Sequence, residues 1–238
     1  MNFYHGNYSD VREALRGGAF PAVDGFLADL GVSSMQFDRA ERGFSFRAKG
    51  PLDMRMESSG ATALDFIRGC SEDELARVIY KWGEEPRAKR IASRLKSALA
   101  EGRLTDTAAC AEIISEAAGP AARAKKIHPA TRTFQAIRMA VNREEHHLDA
   151  LLSFLPSIMS EGGKAVFISF HSLEDRRVKG AFASWAKGCI CPPSFPACVC
   201  GRKPDFKLLT RKAVVPTDDE VGRNPRARSA KLRAAQKL

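Results

Sequence analysis

Two predicted strand ends carry residues able to do chemistry. Val23 to Leu30 reads V-D-G-F-L-A-D-L, a short apolar run predicting a buried strand, with Gly31 and Ser33-Ser34 opening a loop after it. Asp29 stands at the carboxyl end of that strand, the edge at which open α/β sheets bind ligands, so its carboxylate is the first candidate functional group. The alternative role for Asp29 is a loop-capping carboxylate. Lys164 to Ser169, K-A-V-F-I-S, predicts a second strand after a Gly162-Gly163 turn, and His171, Ser172, Glu174 and Asp175 follow it toward the same edge. The S-L-E-D spacing from Ser172 to Asp175 suits a helix N-cap; capping accounts for those two residues and leaves His171 as a candidate functional residue.

Thiols are the other reactive cluster. Cys189, Cys191, Cys198 and Cys200 lie in C-I-C-P-P-S-F-P-A-C-V-C, enough for one tetrahedral zinc, although C-x-C is a less usual pairing than C-x-x-C. The other reading is four reduced thiols in an exposed insertion, and no residue is assigned as a metal ligand. Cys70 and Cys110 read as small buried thiols.

The elements that must position these groups alternate strand, loop and helix. Ser71 and Glu74 form an S-x-x-E capping box ahead of a helix whose apolar face is Leu75, Val78 and Ile79. Further helices are predicted over Arg87 to Leu99 and Thr107 to Ala118, and one long helix from Pro129 through Phe134, Ile137, Val141 and Leu148 to Leu152. Phe206 to Thr210 and Ser229 to Ala234 are predicted as a strand pair joined by a polar Pro216 to Pro225 connection. Over a hundred mostly helical residues between two buried strands exceed what a crossover needs, so an α/β domain with a helical insertion is expected.

The chain has 238 residues, 44% hydrophobic, enough for a real core. Its net charge of +10 concentrates near the end, where Gly201 to Leu238 holds eleven Lys or Arg against four acidic residues. A polyanionic partner is one reading and an ordinary solvated basic surface the other. No apolar stretch approaches the roughly 18 residues of a membrane span, so a cytoplasmic protein without structural disulfides is expected.

Longer motifs are more specific. Asp29 to Phe46 reads D-L-G-V-S-S-M-Q-F-D-R-A-E-R-G-F-S-F, followed by P-L-D-M-R-M at Pro51 to Met56. H-P-A-T-R-T-F-Q-A-I-R begins at His128, S-F-H-S-L-E-D-R at Ser169 and N-P-R-A-R-S-A-K-L-R at Asn224. In these blocks the chain closely resembles the RsmH family, formerly MraW, of ribosomal RNA small subunit methyltransferases. The resemblance implies a class I, Rossmann-like methyltransferase using S-adenosylmethionine, with residues 57–127 as an inserted helical domain for RNA recognition and 1–56 with 128–238 as the methyltransferase domain. It implies N4-methylation of a cytidine in the decoding region of 16S rRNA, with free rRNA or the small ribosomal subunit as partner; no protein partner is predicted.

The resemblance places Asp29 and Gln36 at positions that contact S-adenosylmethionine, and Tyr8 where an aromatic ring lies beside the adenine. A carboxylate holding an N–H of the cytosine amine would help localise its delocalised lone pair, a role given to Asp29, with His171 beside it as the second catalytic candidate. Arg132, Arg138, Arg223, Arg226 and Arg228 are candidate phosphate contacts, with solvated basic faces as the alternative. Phe44 and Phe46 read as core rings rather than base-stacking ones.

Family members begin with a strand and a D-G-T-x-G-x-G-G-H loop, then an acidic residue for the ribose hydroxyls. This sequence begins near the third strand, in N-F-Y-H-G-N-Y, so the first strands are absent, Met1 is expected to be an internal methionine of a longer reading frame, and the strand ending at Asp29 is expected to have an unpaired edge. Two further readings remain open: a non-catalytic, ribosome-associated RNA-binding remnant, and a zinc-dependent nucleic-acid module.

Overall fold

The computed structural model describes residues 3–17, 22–124, 127–189, 191–192, 195–197 and 199–238. In chain order the helices are α1 (Val11–Gly17), α2 (Ser34–Asp38), α3 (Ala63–Gly69), α4 (Glu72–Gly83), α5 (Ala88–Ala100), α6 (Thr107–Ala118), α7 (Pro120–Arg123), α8 (Ala130–Val141), α9 (Glu144–Ile158), α10 (Ser172–Trp185) and α11 (Asp218–Arg223). The strands are β1 (Val23–Asp29), β2 (Met159–Ser169), β3 (Phe206–Leu208) and β4 (Lys231–Lys237). The chain divides into two compact units, a sheet unit of Met1–Gly31 with Glu145–Leu238 and a helical unit of Val32–Glu144.

In the sheet unit the strand order is β1-β2-β4-β3, with β1 parallel to β2 and the other pairs antiparallel. Phe26, Phe167, Phe182, Trp185 and Phe206 form a chain of rings with successive centroids 4.9–5.7 Å apart, joining three strands to α10. Offset and edge-on aromatic pairs of this kind add specific geometry to the area they bury. Leu148, Leu151, Leu152 and Leu155 of α9 complete the core.

The Gly162-Gly163 turn expected ahead of β2 is instead a bulge inside it. Val23 pairs with Met159 while Gly25 pairs with Lys164, so the extra residues of β2 are looped out of the ladder. Gly162 takes φ +78°, and a Cβ on Gly163 would sit 2.8 Å from the Ser160 carbonyl oxygen, which is why glycines stand there. The predicted C-terminal strand starts at Lys231, and the polar connection before it contains α11, capped by Thr217.

The helical unit is built on Ile67, Leu75, Ile79, Ile91, Leu95, Ile114 and Ile137, all fully buried, with Phe44, Leu52 and Met54 of the preceding loop packed into the same core. That packing sets the unit's limits at Val32 and Glu144, wider than the expected insertion of 57–127. The α4 capping box forms as read: Ser71 Oγ accepts from Glu74 N, and the Glu74 carboxylate accepts from Ser71 N. The single long helix expected from Pro129 to Leu152 is two helices, α8 and α9. Asn142 ends α8 by tying the helix end to the Met54–Met56 loop: Nδ2 donates to Met54 O at 2.7 Å and to Arg138 O of the last helical turn at 2.8 Å, and Oδ1 accepts from Met56 N at 2.6 Å. Arg143 then takes φ +50°, a left-handed conformation that breaks the helical path.

Candidate active site

The sheet unit places two predicted residues at the carboxyl ends of neighbouring parallel strands, one on β1 and one just past β2. Asp29 is the exposed last residue of β1 and pairs in register with Ile168, and Leu30 N donates to Ile168 O at 2.9 Å, carrying the ladder one step further. Gly31 then turns out of the strand at φ +90°. His171 lies two residues past the end of β2. Asp29 and His171 thus share the carboxyl edge of the sheet, but no hydrogen bond joins them.

Helix capping was assigned to Ser172; the N-cap is His171 itself. Its backbone is extended and its Nδ1 accepts from Glu174 N at 3.3 Å. An imidazole nitrogen can do what a cap hydroxyl does, and Ser172 becomes the first helical residue. The Glu174 carboxylate reaches back to accept from Phe170 N at 2.9 Å. His171 Nε2 is buried, 3.1 Å from Glu174 Oε1 but out of line for an N–H bond, and makes no hydrogen bond. The ring is therefore fixed by one nitrogen and leaves the other unspent.

Asp175, the expected cap partner, points its charge elsewhere. Arg233 Nε and Nη2 donate to its two oxygens at 2.7 and 3.2 Å, and Lys231 Nζ is 3.6 Å away. Burial pushes this carboxyl up, but Arg233 and Lys231 outweigh it and hold the group below the usual carboxylate range. Arg233 is itself buried within β4. This pair ties the first turn of α10, and with it His171, to the sheet. The N-P-R-A-R-S-A-K-L-R block hid it; the sole signal was a cation alternating with apolar residues in a predicted strand.

Tyr8 is half-buried in a 3-10 turn over Tyr8–Asp10, edge-on to His147 with centroids 6.4 Å apart, and keeps part of its ring open. Arg226 and Arg228 are exposed in the 3-10 turn Pro225–Ser229, and Arg223 is exposed at the end of α11, where it pairs with Asp219 at 2.8 Å.

In the helical unit Gln36 forms a capping box with Ser33: its Oε1 accepts from Ser33 N at 2.8 Å, leaving its amide nitrogen uncommitted. The loop after it is cross-tied by two arginines. Arg42 Nη2 donates to Arg55 O and Met56 O, and Asp53 and Arg55 form a two-pronged pair at 2.8 Å that lowers the Asp53 carboxyl through the Arg55 hydrogen bond. Phe44 is a buried core ring, and Phe46, partly buried, packs against Phe134 and His128 at the margin of that core. Arg132 is half-exposed and donates to Glu84 O at 3.1 Å. Arg138 is a structural cation instead of an open one: both its Nε and Nη2 bind Glu144, at 2.7 and 2.8 Å, with little exposure.

Of the thiol cluster, Cys189, Cys191 and Cys200 lie together in the sheet unit, and Cys198 falls outside the described residues. Cys110 is fully buried, which pushes its thiol up to about 12, and Cys70 is partly buried with its thiol also raised by burial. Among the described residues no helix is long and apolar enough to cross a membrane.

The model of the MraW methylase family matches residues 1–238. The ribosomal RNA small subunit methyltransferase H of Anaeromyxobacter sp. (strain K) is 51% identical over 232 residues, covering 98% of this chain and 75% of its own. The protein of that name from Pelobacter propionicus is 49% identical over 239 residues, 100% of this chain and 76% of its own, and that from Myxococcus xanthus is 53% identical over 216 residues, 91% and 70%.

Proposed function

Because this chain belongs to the MraW methylase family of class I methyltransferases, we propose that it moves a methyl group from S-adenosylmethionine to the exocyclic N4 of a cytidine in the decoding region of small-subunit ribosomal RNA. The observation carrying the reading is the exposed carboxylate of Asp29 at the end of a parallel strand, where open α/β sheets bind ligands.

The chemistry of this edge fits a cationic donor bearing an amine and an adenine. It offers an exposed carboxylate, a left-handed glycine two residues on, and the half-open Tyr8 ring. When bound, such a donor supplies a sulfonium methyl group already activated for displacement, so the protein's task is alignment, worth on the order of 7–11 kcal/mol. Asp29 accepts an N–H of the target amine and so concentrates its lone pair on nitrogen. His171, fixed through Nδ1 with its Nε2 buried against Glu174, shapes the pocket for the base. In the helical unit, Gln36 is the proposed donor-binding residue by resemblance, with an amide nitrogen that its capping box leaves unused. Exposed Arg132, Arg226 and Arg228 contact RNA phosphates, with the inserted helical unit helping to recognise the substrate.

Methyl transfer from labelled S-adenosylmethionine to small subunits, with the modified atom located by mass spectrometry, tests this. Asp29→Asn should lower turnover roughly 100- to 10,000-fold, the usual range for a group that handles a proton in the transition state. An unchanged rate, a methyl group on another atom, or a parent chain that binds RNA but neither binds nor uses the donor would overturn the reading; the last would favour an RNA-binding remnant.

A further inference from the structure

The segment from 186 to 205 joins α10 to β3 with no helix or strand among its described residues. Irregular connections of that length are uncommon in compact domains unless something organises them. An apolar core does not: Phe195 is 51% and Val199 74% exposed. The base is nevertheless closed. Asp205 N donates to Trp185 O at 2.9 Å, and a Cβ on Gly188 would stand 3.2 Å from Pro204 Cδ.

Just beyond this pinch the sulfurs of Cys189, Cys191 and Cys200 all lie within 4.8 Å of one another. Cys189 and Cys200 are 11 residues apart, with Sγ atoms 3.8 Å apart. A disulfide would need about 2.0 Å. Two thiolates on one tetrahedral zinc, each about 2.3 Å from the metal, are separated by about 3.8 Å. The spacing, held here by a Cys200 S–H···S Cys189 hydrogen bond, is also that of a metal edge. Cys191 N also donates to Cys189 Sγ at 3.4 Å, an N–H···S bond of the kind that steadies a ligating thiolate.

We propose that Cys189, Cys191 and Cys200 form a structural zinc site that staples the loop between α10 and β3. Three soft thiolates select zinc over hard cations such as magnesium or calcium, and leave one tetrahedral position for a fourth donor. Each thiol gives up its proton on binding, so uptake releases protons and strengthens with pH. Lys187 and Lys203, flanking the cluster in sequence, offset the single negative charge left by three thiolates on a divalent ion. The site is independent of the methyl-transfer reading.

The test uses the full 238-residue chain, purified without chelator from zinc-supplemented cells. Elemental analysis should find one zinc per chain, and cobalt exchanged into it should show thiolate-to-cobalt charge-transfer absorption. Cys189→Ser and Cys200→Ser should each lose the metal while keeping the parent's far-ultraviolet circular dichroism, and Cys110→Ala should keep it. Stripping the metal should speed tryptic cutting after Lys187 and Arg202. Zinc-free protein after supplementation, full zinc content in Cys189→Ser and Cys200→Ser, or an intact mass lacking two hydrogens would overturn the proposal.

Discussion

Removing the Arg233 guanidinium tests how α10 is held to the sheet. Arg233 sits in β4 with its side chain 10% exposed, and Asp175 in the first turn of α10 is 13% exposed. Losing one partner of a buried pair costs about 3–5 kcal/mol, because the other charge is stranded. Here Lys231, 3.6 Å from Asp175, keeps part of the compensation, so Arg233→Met should cost about 2–3 kcal/mol. For a chain of this size that is roughly a 5–10 °C fall in Tm. The assay is a double-mutant cycle by thermal and urea unfolding with Asp175→Asn and the double variant. The double variant should be more stable than the two single losses summed, since it strands neither charge. A loss below about 0.5 kcal/mol in Arg233→Met, or a coupling of zero, would refute the assignment of this pair as the tie between α10 and the sheet.

The same carboxylate gives a pH prediction. Asp175 is depressed in the folded state, so its stabilisation is present above the unfolded carboxyl value near 3.9 and fades as pH falls through the lower folded value; the stability gap between parent and Asp175→Asn should close below about pH 4 in urea titrations. Asn142→Ala should cost about 2–4 kcal/mol, read as a lower urea midpoint, because it orphans Met56 N–H and Met54 C=O; a near-neutral result would mean water replaces the amide. Gly50→Ala should cost about 3 kcal/mol or produce insoluble protein, since its Cβ would meet the Ala40 carbonyl oxygen at 1.8 Å; wild-type thermal stability would show the loop can spread. Cys110, buried with its thiol near 12, should resist iodoacetamide at pH 8 in the native protein and react after denaturation, as peptide mapping can show.

What could be read from the sequence was local. The Ser71–Glu74 cap, the start of α6 at Thr107 and the extents of the apolar runs in β1 and β2 depend on residues within a few positions of one another, and they stand where the patterns put them; the burial expected of β1 does not follow, because Asp24, Gly25, Leu27 and Asp29 are exposed on it. What could not be read depends on distant partners. Asn142 stops a helix because Met54 and Met56 arrive beside it, some 86 to 88 residues away in sequence, and the apolar spacing of Val141 and Leu148 runs on across the break. His171 was invisible as a cap because imidazole is an unusual capping group, and Asp175 was misassigned because Arg233 is 58 residues away. The motif around Asp29 pointed to the end of a strand, where the residue is found, but its consequences for chemistry came from resemblance and not from spacing. The thiol trio was legible only as a count, since the pinch at Trp185 and Asp205 that gathers it is a tertiary event.

The position of β1 at the margin of the sheet has a practical consequence. Among the described residues no strand pairs with its outer row of amide and carbonyl groups, and that row, beside Leu27 at 68% exposure, is a template on which another strand can be laid. Asp24 and Asp29 bracket that row as exposed charges, gatekeepers that make self-pairing electrostatically unfavourable. Neutralising Asp29 therefore removes a guard against association as well as a candidate catalytic group, and Asp29→Asn should scatter more light than the parent as its concentration rises.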